Sequence, residues 1–305
     1  MHALSGKGEP IRCLVRSYGR FRRRFPDVDA ESVEGDLLDP RTLPKALEGI
    51  ETAYYLVHSM GGRMFDTAFA ERDRRAAENF IEAASATGVR RIIYLGGLGE
   101  MGDGLSLHLS SRQEVARILG SRSPRVTVLR AANIIGSGGA PFEMLRHLVE
   151  RFPVLIAPRW IDTRCQPIDI YDAVAYLAGC LENEETADAE FDIGGPEIIT
   201  YRHMMHVYAR VRGLKREIRS APFFFPGLSA VFIGFFTPVP SGVASPLLEG
   251  LRNQVICREN RIREIIPIRL TPLEISICTA LQESRGGPGK ILSSQSCFLD
   301  DVHRM

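Results

Sequence analysis

The feature that most constrains the fold is a regular alternation of short apolar runs with amphipathic segments through the first two-thirds of the chain. Apolar runs that predict strands lie at residues 11–15, 52–58, 89–97 and 126–136, and residues 31–39 carry a short strand that ends at Gly35 and Asp36. Residues 69–88 repeat apolar positions every three or four residues, the spacing of one buried helix face, and residues 108–122 are predicted to form a second helix. Nearly continuous apolar strands joined by helices predict a parallel sheet covered on both faces. The expected fold class is therefore α/β with a doubly wound parallel sheet.

The pattern becomes mixed after residue 140 and divides the chain into three expected parts. Residues 1–140 form the doubly wound domain. Residues 141–282 supply the remaining sheet elements and a smaller mixed C-terminal lobe. The tail, residues 283–305, is rich in Gly and Ser without a period and is expected to be disordered.

The composition excludes some classes of function. The 305 residues have a net charge of +1, so the bulk charge does not favour nucleic acid as a partner. The six cysteines are scattered without CxxC spacing, and the N-terminus lacks a signal-peptide pattern. These features predict reduced thiols and a cytoplasmic protein.

One apolar, aromatic-rich stretch, residues 221–248, stands out in this ordinary composition. Prolines divide it, and the uncharged run between Pro226 and Pro238 is shorter than the roughly 20 residues that span a bilayer. The stretch is expected to form a wall of the substrate lobe, or a peripheral contact with a membrane or a protein.

Ligands of open parallel sheets bind at the carboxyl ends of the strands. The residues that follow the predicted strands are therefore candidates for the site. They are Arg16, Asp36, His58, Gly96, Gly97 and Asn133.

Eight segments follow one another between about residues 8 and 210: IRCLVRS, VEGDLLDPRTLPKALEGI, AYYLVHSM, RRIIYLGGLGE, HLSSRQEV, VTVLRAANIIG, QPIDIYDAVAYL and FDIGGPEIITYRHMM. Together and in this order, they resemble the extended and atypical short-chain dehydrogenases, in particular the NmrA-like NAD(P)-binding proteins. The resemblance implies a Rossmann-like fold and an NAD(P)-binding domain over residues 1–140.

The resemblance also raises the question of the phosphate loop. In this family a GxxGxxG loop follows the first strand, and its backbone amides meet the cofactor pyrophosphate. Only ten residues precede the strand at 11–15, and they contain no such loop. We expect residues 1–10 to be the end of a first helix and its turn, with the strand and loop before them missing from the sequence.

The family pattern implies a set of cofactor contacts: Arg16, Ser17, Asp36, Leu37, Val57, His58, Gly96, Gly97, Asn133 and Ile134. Arg16 stands where family members meet the 2′-phosphate of NADP, whereas NAD sites carry an acid there. NADP is therefore the expected cofactor, and NAD is less favoured. The alternative is that Arg16 belongs to a solvated basic face, since the stretch RSYGRFRRRF is rich in arginine.

The catalytic positions of the family are replaced in this chain. Short-chain dehydrogenases use a Ser after the fifth strand and a Tyr-x-x-x-Lys pair on the next helix. Here Gly96 and Gly97 occupy the first place, and His108 and Arg112 occupy the second. His108 is a candidate general acid if its pKa lies near the ordinary value of about 6.5, and Arg112 is a candidate ligand of ribose or phosphate. No metal is expected, because His203 and His206 have no acid or Cys partner at zinc-site spacing.

Two functions follow from the resemblance. The first is an NADP(H)-dependent oxidoreductase that acts on a small apolar carbonyl or quinone-like compound. The second is a non-catalytic NADP(H)-binding sensor, or an assembly or interaction protein, which needs no turnover.

Overall fold

The computed structural model describes residues 1–59, 68–99, 105–221 and 248–284. Predictions for the apolar stretch, apart from its ends, and for residues 285–305 lie outside these described residues. The strands are β1 (Arg12–Val15), β2 (Glu31–Glu34), β3 (Thr52–Tyr55), β4 (Arg91–Gly97), β5 (Arg125–Ala131), β6 (Ile134–Ile135), β7 (Val154–Pro158), β8 (Arg164–Cys165), β9 (Ile168–Asp169), β10 (Ala189–Ile193), β11 (Ile199–Thr200) and β12 (Glu217–Ala221). The α-helices are α1 (His2–Ser5), α2 (Tyr18–Arg24), α3 (Leu43–Leu47), α4 (Ala68–Ala86), α5 (Leu107–Leu119), α6 (Ala140–Arg151), α7 (Ile170–Glu182), α8 (Tyr201–Val211), α9 (Arg261–Ile265) and α10 (Leu273–Ser284).

The central sheet confirms the prediction of parallel strands. Its order is β10–β5–β4–β3, and all three neighbouring pairs are parallel. The long apolar run predicted at 126–136 is divided, because β5 ends at Ala131 and β6 pairs with β9 instead of extending the central sheet. The β5 strand and the β6–β9 pair therefore diverge at residues 132–133.

Both faces of this sheet are covered, as the continuous apolar strands require. On one face α4 and α5 pack through small and apolar side chains such as Ala77, Ile81 and Val115. On the other face α7 and α9 contribute Tyr176, Leu177 and other apolar residues to a second cluster. Burial on both sides explains why the strands have an almost uninterrupted apolar sequence.

A separate parallel pair, β1–β2, forms the remaining part of the nucleotide-binding half. Arg12 lies opposite Glu31, and Val15 lies opposite Glu34. Within the described residues, no strand pairs with both β1 and β3. Residues His2–Ser5 are helical and are followed by a turn, as expected for the segment before β1.

The C-terminal lobe packs α6, α8, α10 and β7 around a third apolar cluster that contains Phe142 and Tyr208. The β12 strand pairs in parallel with β7. Helix α10 continues to Ser284, so the first two residues of the predicted tail are helical. The division of the chain at residue 140 stays a prediction, although α6 begins there.

Two further observations bear on the sequence predictions. None of the described helices has the length and hydropathy needed to span a bilayer. Cys13, Cys165, Cys180 and Cys257 are free thiols, as predicted. Cys278 is disulfide-bonded, so the prediction of a reduced thiol is wrong for this residue.

Candidate functional site

The carboxyl ends of β3, β4 and β5 open into one cavity of about 520 Å³. This is the edge of the sheet at which ligands of doubly wound folds bind. The structure brings seven of the predicted site residues to its wall, namely His58, Gly96, Gly97, His108, Arg112, Asn133 and Ile134. Residues that are far apart in the sequence therefore meet at one place, as the strand pattern predicts.

The two glycines at the end of β4 lie against different neighbours. A Cβ atom at Gly97 would lie 3.2 Å from a methyl carbon of Leu109 on α5. This distance is tighter than usual packing, so Gly97 allows the first turns of α5 to lie close to the end of β4. A Cβ atom at Gly96 would lie 3.1 Å from the ring of Tyr94 within β4 itself.

Helix α5 begins where its sequence provides a cap. The hydroxyl of Ser106 accepts a hydrogen bond from the backbone N–H of Leu109 at 3.3 Å. His108 and Arg112 are four residues apart, so they lie on the same helix face, and that face lines the cavity. The spacing predicted from the sequence is thus preserved, with an imidazole and a guanidinium in place of a phenol and an amine.

A buried carboxylate, Asp73 of α4, holds this end of the cavity together. One oxygen accepts the backbone N–H of Ser59 at 2.6 Å, and the other accepts the hydroxyl of Ser111 at 3.3 Å. Ser59 follows His58 in the loop after β3, and Ser111 precedes Arg112 on α5. Asp73 therefore fixes the loop that bears one histidine against the helix that bears the other.

Asp73 was not among the site residues predicted from the sequence, although the sequence carries an indication of it. Asp73 is 3% exposed and lies four residues after Phe69, on the apolar face of α4. An acidic residue on the buried face of an amphipathic helix needs a polar partner. That partner could not be named without the tertiary structure.

The two histidines of the cavity have lowered pKa values. Desolvation by the cavity walls and the nearby Arg112 charge lower the pKa of His108 to about 3. The same two causes lower the pKa of His58 to about 4, although Asp73 acts in the opposite direction and part of the His58 side chain is open to solvent. This pKa departs from the ordinary value on which the role of His108 as a general acid depended. At neutral pH His108 is an uncharged imidazole, able to donate or accept a hydrogen bond.

The far end of the cavity is apolar, and the sequence analysis did not assign it. It is formed by Met144, Leu148, Trp160, Met204 and Leu251 from α6, α8 and two connecting segments. Met204 lies between His203 and His206, and these histidines are on the exposed side of α8. The polar–apolar–apolar–polar pattern of HMMH on a helix predicts that Met204 faces the interior.

The remaining predicted residues lie outside the cavity wall, around β1, β2 and the loop after β3. Arg16 is exposed after β1, and Ser17 caps α2 by accepting the Arg20 N–H at 3.5 Å. One carboxylate oxygen of Asp36 accepts the Leu38 N–H at 2.9 Å, as in a turn. Leu37 is buried in the core, and its carbonyl accepts a 2.8 Å hydrogen bond from the Asn79 side-chain amide.

Val57 is half-exposed beside the cavity. Its carbonyl accepts a 3.5 Å hydrogen bond from the Arg112 guanidinium. A search of the described residues finds no group of three His, Cys, Asp or Glu side chains arranged to hold a metal ion.

The fold and the position of the cavity define a Rossmann-like α/β protein with a cavity at the carboxyl edge of its sheet. Residues 1–132, which contain β1 to β5, match the family model described as NAD(P)H-binding. This match covers 132 of the 305 residues of the chain.

Two curated relatives cover most of the chain at low identity. The photosystem II assembly factor Ycf39 of Trieres chinensis is 25% identical over 240 residues, which are 75% of this chain and 70% of that protein. The ceramide reductase of Caulobacter vibrioides is 26% identical over 223 residues, 73% of this chain and 69% of that protein.

Solved structures support the fold. The NADPH-dependent quinone oxidoreductase QOR2 of Escherichia coli, in complex with NADPH, superposes with a TM-score of 0.70 at 18% identity and covers 90% of this chain and 93% of its own. The triphenylmethane reductase of Citrobacter sp., in complex with NADP(H), gives a TM-score of 0.68 at 16% identity and 90% coverage of both chains.

Proposed function

We propose that the protein binds NADP(H) at the carboxyl edge of its sheet and reduces a small apolar carbonyl or quinone-like compound. The observation that carries the proposal is the single cavity that joins the glycine end of β4, Asn133 and the His108–Arg112 face to an apolar compartment. The nicotinamide, when bound, supplies a hydride. The similarity of the fold to an NADPH-dependent quinone oxidoreductase and a triphenylmethane reductase supports this class of reaction.

The residues around β1 favour the phosphorylated cofactor. Arg16 is exposed and, within the described residues, forms no ion pair. A free guanidinium can hold a phosphate through two parallel hydrogen bonds. An NAD site instead places a carboxylate after this strand to accept the ribose hydroxyls.

The two ends of a dinucleotide site fit the residues present. Arg16 suits the 2′-phosphate, while Gly96, Gly97 and Asn133 leave space at the nicotinamide side. The pyrophosphate needs several backbone N–H donors between these ends. Among the described residues, no strand lies beside both β1 and β3 in the sheet, so no loop after such a strand supplies these donors. The proposal therefore rests on the two ends of the site.

The side chains of this chain orient a substrate more than they move protons. The uncharged imidazole of His108 can donate a hydrogen bond to a carbonyl oxygen, and Arg112 can stabilise negative charge that develops on that oxygen. Neither group is an acid that releases a proton at neutral pH. The proton that completes the reduction is therefore drawn from solvent through the open cavity.

A second function is a non-catalytic role as an NADP(H) sensor or an assembly protein. It is favoured by the replacement of the family's Tyr and Lys by His108 and Arg112, and by the similarity to a photosystem II assembly factor. A peripheral membrane or protein contact through residues 221–248 and a cytoplasmic location belong to the same proposal. Their support is the apolar composition of that stretch and the scattered cysteines.

The experiment is a titration of the purified chain with NADPH and with NADH, followed by nicotinamide fluorescence. We expect tighter binding of NADPH, and Arg16→Ala should weaken it by about tenfold or more, the effect of losing a charge-assisted hydrogen bond. Binding of NADH should change little. Arg23→Ala is the matched control, since Arg23 is exposed on α2 and has no proposed contact. Equal losses in both variants, or an effect on NADH alone, would contradict the phosphate role.

Oxidation of NADPH in the presence of a naphthoquinone separates the two functions. Turnover that the quinone stimulates, and that His108→Ala reduces, would support the reductase. Binding of NADPH without stimulated turnover would support the sensor or assembly role.

A further inference from the structure

The cavity has two chemically distinct ends, and its polar end carries a cation that forms no ion pair with the described residues. Arg112 is 8% exposed and lines the cavity. Its guanidinium donates a 3.5 Å hydrogen bond to the Val57 carbonyl and lies beside the Tyr94 hydroxyl. A guanidinium has five N–H donors, so these contacts leave most of its capacity unused.

Among the described residues, no carboxylate forms an ion pair with this cation, although Asp73 lies near enough to oppose its effect on the pKa of His58. No Asp or Glu lies among the described residues of the cavity wall. The buried carboxylate behind it, Asp73, is engaged by Ser59 and Ser111 and forms no ion pair with Arg112. A buried charge without a partner is unfavourable unless a ligand completes its environment.

The rest of the polar end also suits an oxygen anion. His58 and His108 are uncharged at neutral pH, and each can turn an N–H towards an acceptor. The family resemblance places the cofactor ribose beside Arg112. A ribose there would present only uncharged hydroxyls to the guanidinium. The positive charge would still lack a counter-ion.

The opposite end selects an apolar body. Met144, Leu148, Trp160 and Met204 contribute no charged group, and two of them are methionines, whose flexible side chains adapt to ligands of different shape. The total volume of about 520 Å³ lies within the range of small-molecule sites.

We propose that the cavity takes an acidic amphiphile, a compound with an ionised or ionising oxygen at Arg112 and an apolar body against Leu148 and Met204. This inference rests on the proposed function, because it names the substrate class of the same site. It goes further in that, among compounds with the same apolar body, the cavity favours those with an acidic group over neutral ones.

The test compares two probes that share one apolar body. Anilinonaphthalene sulfonate carries an anionic group, and phenylnaphthylamine is its uncharged counterpart; both are titrated into the full chain by fluorescence. Arg112→Gln should weaken binding of the sulfonate by about tenfold or more and leave the uncharged probe unaffected. Arg112→Lys, which keeps the charge, should retain most of the sulfonate binding. Arg117→Gln, an exposed change on the same helix, is the matched control.

A second measurement needs no variant and covers the case in which Arg112→Gln does not fold. Decanoate should displace phenylnaphthylamine from the wild-type chain at a lower concentration than decanol does. The opposite order is expected of a purely apolar cavity, because the alcohol is the more hydrophobic compound, and it would overturn the proposal.

Titration with NADPH in parallel distinguishes this inference from the proposed function. Probe binding that depends on Arg112, without any NADPH binding, would refute the proposed function and support the acidic ligand. Binding of NADPH, together with a sulfonate affinity that is the same in wild type and both Arg112 variants, would overturn the inference alone.

Discussion

The lowered pKa of His108 leads to a quantitative prediction about stability in acid. The folded-state pKa is about 3, whereas the ordinary value is 6.5. The unfolded chain therefore takes up a proton at a higher pH than the folded chain does. The stability that depends on a neutral His108 is fully present above about pH 6.5, and it is lost as the pH falls towards the folded-state pKa.

The size of the effect at pH 5 follows from these values. At pH 5, His108 stays neutral in the folded state. In the unfolded state it is almost fully protonated, because this pH lies about 1.5 units below the ordinary pKa of 6.5. At about 1.4 kcal/mol per pKa unit, His108 alone should lower the free energy of unfolding by about 2 kcal/mol between pH 7.5 and pH 5.

The assay is urea unfolding of the wild type and of His108→Asn at both pH values, followed by circular dichroism. The variant should lose about 2 kcal/mol less than the wild type between the two pH values. Ser110→Asn is the matched control, because it changes an exposed, non-titrating residue of the same helix. The same pH dependence in the wild type and in His108→Asn would refute the placement of a neutral imidazole in the cavity.

Two further substitutions test the packing that supports the site, both by urea unfolding. Asp73→Asn removes the charge that accepts two hydrogen bonds, so it should destabilise the fold by about 2 kcal/mol or more. Its control is Glu71→Gln in the exposed first turn of the same helix, which should change stability by about 0.5 kcal/mol or less. Gly195→Ala should destabilise strongly, because its Cβ would lie 2.1 Å from the Pro167 carbonyl oxygen. Gly19→Ala, which has open space and lies in a helix, should be neutral or stabilising; equal effects at the two glycines would contradict the close approach at Gly195.

The local pattern of the sequence was sufficient for the architecture. Helices predicted at residues 69–88 and 108–122 correspond to α4 and α5, and the run at 89–97 contains β4. Burial of the strands on both faces requires apolar side chains at successive positions, so the strands can be predicted from apolar runs in the sequence. The position of a ligand site at the carboxyl edge then follows from the parallel arrangement alone.

The chemistry of the site was less accessible, since it depends on contacts between distant segments. The pKa of His108 is set by burial and by Arg112, and only the second of these is nearby in the sequence. Asp73 meets Ser111 across 38 residues. The apolar end is assembled from Leu148, Trp160 and Met204, whose separate patterns look like ordinary core. Spacing on one helix could be predicted, whereas the environment of the side chains could not.

The most direct test of the central claim is hydrogen–deuterium exchange of the chain with and without NADPH, read by mass spectrometry. The proposed site predicts protection in peptides that contain Gly96 and Gly97, and in those that contain Asn133. It also predicts protection after β1 near Arg16, and none at the opposite edge of the sheet around residues 183–188. Protection confined to that opposite edge would contradict a cofactor site at the carboxyl ends of the strands. The same conclusion would follow if NADPH did not change the exchange of a sample whose cooperative unfolding shows that it is folded.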